Sequence, residues 1–158
     1  MTKDVLISIS GIQMAANEVE SHDEEPIEIL SAGNYYFKGG THYMFFEEVV
    51  EGIPGVTKTQ IRLNETSSIE VTKKGVSNMH MIFEKNKHHR CFYETPYGQL
   101  NLGIFTTEIT IEETEDNINI RADYAMDVNH EPLSDCTIRI NVKPRDSKEF
   151  SIRDKMNF

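Results

Sequence analysis

Long apolar runs are missing from this 158-residue chain: the longest, Tyr43–Phe46, falls far short of the roughly 20 residues a membrane helix needs. Cysteine is scarce. Cys91 and Cys136 each sit inside a strand-like stretch, so they read as small apolar thiols rather than a disulfide framework. Positive charge is also short: 16 Lys and Arg against 26 Asp and Glu leave a net charge of −10. That balance works against nucleic-acid backbone binding and repels anionic membranes. The first residues enter alternating sequence directly, without an apolar signal core, so the expectation is a cytoplasmic protein. The Asn64-Glu65-Thr66 sequon then has no use. Over most of the chain no helical three-to-four period competes for the pattern.

What is present is alternation. Ile118, Ile120, Ala122, Tyr124, Met126 and Val128 occupy one face of a stretch whose other face carries Asn119, Arg121, Asp123, Ala125 and Asp127. Successive side chains of a strand point to opposite sides, so this is a strand with one buried and one wet face. Cys136, Ile138, Ile140 and Val142 repeat the pattern, as do Val5, Ile7 and Ile9, and Phe105, Ile109 and Ile111. Turn chemistry separates the runs at short intervals. Gly39-Gly40 divides Tyr35–Phe37 from Tyr43–Phe46, and Lys74-Gly75, 84–88, 96–98, 115–117 and 129–134 supply further breaks. About ten strands are predicted, at 3–14, 26–37, 41–50, 56–63, 67–73, 76–84, 89–94, 98–113, 117–129 and 134–143.

A meander of that many hairpins removes its exposed edges by closing on itself. The predicted fold is therefore all-β, a single antiparallel up-and-down barrel of about 8–10 strands, with a two-sheet sandwich as the alternative. Gly103 is a candidate bend in the long strand 98–113. The barrel domain is set at 1–143, followed by a polar, charge-dense C-terminal tail at 144–158. Glu18, Glu20, Asp23, Glu24, Glu25 and Glu28 form an acidic connection that reads as a solvated loop.

Phe46-Glu47-Glu48, Lys74-Gly75 leading to Met81-Ile82-Phe83, Tyr93 to Gly98, Thr106, and Ala122 to Met126 occur in an order and spacing that resembles the YwiB-like family. These are small bacterial proteins of unknown function with a calycin-type, lipocalin-like barrel. The resemblance covers nearly all of 1–143 and implies the barrel, without implying an activity. Where the family often has arginine two residues before the glycine, this chain has Lys73, a point charge in place of a bidentate fork. The chain has no tryptophan, so it lacks the Gly-x-Trp of the secreted lipocalins.

No nucleophile elbow, phosphate loop, Cys-x-x-Cys or His-Glu-x-x-His is present, so nothing indicates an enzyme, a cofactor or a metal. His88 and His89 are strand neighbours and face opposite ways, while His22, His42, His80 and His130 lie in separate segments. Lys85 to Arg90 gathers basic residues on a hairpin tip, read as a solvated turn. Glu47 and Glu48 cannot act as a carboxylate pair, since one faces in and one out.

Ile69, Val71 and Lys73 share a face, which would project the Lys73 ammonium into an apolar lumen, where it needs Glu48 or an anionic ligand as partner. Glu48, Lys73, Tyr97, Thr106 and Tyr124 are the candidate ligand contacts. Tyr35, Phe37, Phe105, Tyr124 and Met126 along the inward faces, with Met79, Met81 and Phe83, suit an apolar pocket as well as a plain core. Two functional readings follow: a barrel binding a small apolar or anionic molecule in its lumen, or a solid-core structural or protein-interaction module.

Overall fold

Ten antiparallel strands form one continuous sheet in the computed structural model, which describes residues 3–11, 28–50, 52–64 and 68–145. They are β1 Lys3–Ser10, β2 Glu28–Lys38, β3 Thr41–Val50, β4 Ile53–Asn64, β5 Ser68–Gly75, β6 Met79–Glu84, β7 His88–Thr95, β8 Gly98–Glu113, β9 Ile118–Val128 and β10 Glu131–Pro144. The acidic stretch Glu18–Glu25 and the tail beyond Arg145 lie outside the described residues. Most strands neighbour the next in sequence, and β1 pairs with β10 from Val5–Pro144 to Ser10–Arg139. The two ends of the meander therefore close the nearly complete barrel.

The remaining seam lies mid-chain, between β6 and β7. It is pinned by an antiparallel Asn78–Glu94 bridge at one end and a parallel Lys85–Thr106 bridge at the other.

Tight turns set the register. Gly39 and Gly40, at φ 61° and 81°, make the two-residue link between paired Lys38 and Thr41. Asn129 and His130 do the same between Val128 and Glu131, at φ 53° and 71°. Both links have the positive φ values that match the right-handed twist of a hairpin.

The inward face carries Ile7, Met44, Ile61, Leu63, Ile69, Phe83, Leu102, Ile104, Ile138 and Ile140, all essentially buried. Each such side chain contributes about 1.5–3 kcal/mol on burial. Met79, Met81 and Phe83 belong to this packed core, and Met79 also reaches an outer concavity.

One expected facing is reversed. Phe105 does not share a face with Ile109 and Ile111, because a bulge between Thr106 and Glu108 shifts the β8–β9 register by one residue. Before the bulge Leu102, Ile104 and Thr106 face inward; after it Ile109 and Ile111 do, and Phe105 is left 37% exposed. An extra residue on one strand has that effect on a period of two.

Candidate functional site

Glu48 and Lys73 do meet. Glu48 ends the inward column of β3 that includes His42, Met44 and Phe46, and Lys73 ends the inward column Ile69, Val71 of β5. The Lys73 ammonium donates to Glu48 Oε1 at 2.8 Å, and the Thr59 hydroxyl of the intervening β4 donates to the same oxygen at 2.9 Å. The two charged side chains are only 17% and 18% exposed. Thr57, the next inward residue of β4, accepts from the Ser77 amide at 3.1 Å, so this end of the interior is polar. Glu47 points outward, as alternation requires.

The other candidates do not join this pair. Thr106 is wholly buried beside the seam, and its hydroxyl has no hydrogen-bond partner among the described residues. Tyr124 is its cross-strand partner; its ring packs edge-on against Phe83 at 5.0 Å, and its hydroxyl bonds to the Cys136 thiol. Burial, and secondarily Cys136, pushes the Tyr124 phenol well above its ordinary range. Tyr97 is 85% exposed at the tip of the β7–β8 hairpin. Neither Cys91 nor Cys136 forms a disulfide among the described residues, and burial raises the Cys91 thiol.

Two arrangements escaped the sequence reading. His42, buried, has Nδ1 2.7 Å from the Tyr35 hydroxyl and Nε2 3.6 Å from Glu113. β3 and β8 are not sheet neighbours, so this contact crosses the barrel mouth. Burial first, then the Glu113 charge, raises the Tyr35 phenol.

On the outside, Arg90 of β7 and Asp127 of β9 reach across Gly103 of β8, with Nη2–Oδ1 at 2.8 Å and Nη1–Oδ2 at 3.2 Å. A Cβ on Gly103 would strike both groups. Gly103 thus makes room for a bidentate bridge, and the bulge at Thr106/Glu108, not the glycine, carries the irregularity of β8. The basic stretch is likewise divided among carboxylates: Lys85 lies 3.6 Å from Glu108 and His89 3.0 Å from Glu84.

The concavities lie mostly over outward-facing residues, with inward ones at their floors: Ile120 and Ile140 in one, Lys73 and Met79 in another, Phe46 and Thr59 in the third. The β2–β3 ladder runs only from Asn34–Phe45 to Lys38–Thr41, while β2 continues along β1 and β3 continues along β4. The wall therefore forks at Gly33, where a Cβ would strike the Phe45 carbonyl. A groove of about 570 Å³ follows the fork, with Phe45, Lys58, Gln60, Thr72 and Lys74 among its lining and Thr59 at its inner side. Lys58 and Lys74 are direct cross-strand partners. Among the described residues neither has an ion-pair partner, though Glu47 stands opposite Lys58 in the register.

A second concavity of about 550 Å³ shares Gln60, Thr72 and Lys74 and continues to His80, Phe92 and the seam. Beside it Arg62 lies over the Tyr43 ring, with Nη1 3.7 Å from Glu70.

The fold and these sites define a small antiparallel barrel with a closed interior and a grooved outer wall. Residues 7–140 match a family described as a domain of unknown function, DUF1934, and the chain belongs to it. A solved structure described as the ywiB protein from Bacillus subtilis superposes with a TM-score of 0.71 at 19% identity, covering 90% of this chain and 92% of that one. The expected YwiB-like barrel is thereby borne out as a fold. No curated protein matches the chain.

Proposed function

We propose that this barrel is a non-enzymatic binding protein with a filled interior, which holds an anionic, partly apolar ligand on its outer wall where β2 and β3 diverge. The carrying observation is the groove of about 570 Å³ in which Phe45 supplies apolar surface beside the opposed Lys58 and Lys74, which have no ion-pair partner among the described residues although Glu47 also lines the groove. Like charges directly opposite one another in a sheet are unfavourable, and an anion between them removes that cost. A ligand within the lumen, headed by Lys73, is the weaker reading, because Glu48 already neutralises that ammonium and the inward side chains fill the interior. A cytoplasmic location is supported by two cysteines that remain thiols rather than forming a disulfide. No described helix is long and apolar enough to cross a membrane.

The test is titration with anilinonaphthalene sulfonate, an aromatic anion whose fluorescence rises on binding. Lys58→Glu with Lys74→Glu should weaken uptake by about tenfold or more, on the order of 1.4 kcal/mol. Lys73→Met should leave uptake unchanged. Undiminished binding in the double variant, with loss in Lys73→Met, would move the site into the lumen and refute this assignment.

A further inference from the structure

The opposite wall carries a second pair of like charges, built from arginine. Arg121 of β9 and Arg139 of β10 are direct cross-strand partners, and both are exposed. The same row continues to Ser10 on β1, which pairs with Arg139, and to Thr110 on β8, which pairs with Arg121. Arg121 is partly offset by Asp123, at 3.2 Å from Nε to Oδ1. Among the described residues Arg139 makes no direct hydrogen bond or ion pair, but Asp123 feels it as well as Arg121: the Thr137 hydrogen bond and then the two arginines hold that carboxyl below its ordinary value.

In the adjacent row Asn141 donates to Asn119 at 2.7 Å and to Asn117 at 2.9 Å, which fixes the amides bordering the arginines. A concavity of about 490 Å³ covers both rows. Glu112 lines it too, but in register with Asn119 rather than with either arginine.

We infer that this concavity is an anion site separate from the groove at the fork, and that it takes a phosphate-type dianion between Arg121 and Arg139. Planar guanidinium forks match phosphate oxygens bidentately, which lysine does not. The two guanidiniums supply the positive charge, less what Asp123 and Glu112 offset, and the Ser10 and Thr110 hydroxyls supply neutral donors at each end of the row. Opposed arginines without an anion repel; with one they become a clamp. The sheet holds all four residues at fixed spacing, so little ordering is needed on binding.

Inorganic phosphate is the probe, read by calorimetric titration and by melting temperature against chloride at matched ionic strength. The wild-type protein should show a phosphate-specific rise in melting temperature. Arg139→Gln should weaken phosphate by about tenfold or more. In chloride the same variant should melt close to the wild-type temperature, because the repulsion from Arg121 and the attraction to Asp123 are lost together. Lys74→Gln, in the other groove, should bind phosphate as the wild type does.

Equal stabilisation by phosphate and chloride would overturn the inference, as would unchanged affinity in Arg139→Gln. Loss of phosphate binding in Lys74→Gln would assign the anion to the fork groove instead.

Discussion

Replacing Lys73 with methionine keeps most of the apolar stem and deletes the cation. Glu48, 18% exposed, would then retain one hydrogen bond, from Thr59. An exposed ion pair is worth about 0.2–1 kcal/mol, and breaking a fully buried one costs about 3–5 kcal/mol. With both side chains more covered than open, the expected loss for Lys73→Met is about 2–3 kcal/mol. For a chain of this length that corresponds to a fall in melting temperature of about 5–10 °C.

Urea denaturation of the wild type, Lys73→Met, Glu48→Leu and the double variant gives the coupling directly. The double variant should recover most of the stability lost by Lys73→Met, since an apolar pair of similar volume carries no stranded charge. A coupling of about 1–2 kcal/mol is expected for groups in contact. Additive losses, or a Lys73→Met protein as stable as the wild type, would refute the ion-pair reasoning and return the ammonium to a ligand role.

Two further outcomes follow from the outer and inner faces of β9. The Arg90 guanidinium holds the Asp127 carboxyl below its ordinary value, so this pair stabilises the fold above the unfolded carboxylate range. That contribution is lost as pH falls through the depressed native value. The stability gap between the wild type and Asp127→Asn should therefore be steady from about pH 5 to 8 and close below about pH 4; a gap widening in acid would contradict the assignment. Ile120→Asp, at a side chain 2% exposed, should cost about 3–5 kcal/mol in urea melts. Asp123→Ala should cost about 1 kcal/mol rather than nothing, because Asp123 accepts from Thr137 at 2.8 Å; equal losses would mean that the two faces of β9 are reversed.

Much of the barrel was legible because alternation and turn residues act locally. Gly39-Gly40 announces a hairpin from two residues, and Ile118 to Val128 announces a face from eleven. What failed did so where a single residue changes the count. The bulge after Thr106 carries no glycine and no proline, so β8 reads as one uninterrupted alternation, and Phe105 is assigned to the wrong face. The Glu48–Lys73 contact was accessible from sequence because both residues end apolar columns, which narrows an inward cation to few partners.

The outer-wall features had no such constraint. Whether Lys58 meets Lys74, or Arg121 meets Arg139, depends on the register of neighbouring strands, and exposed residues give no periodic sign of it. The His42–Glu113 contact is harder still, since it joins strands that never pair and needs the barrel to close before the two residues meet. Side-chain groupings on the outer wall are therefore the part of the barrel's chemistry that a linear pattern hides most: the inward face is fixed by burial, while the outward face is free to vary and acquires meaning only from register.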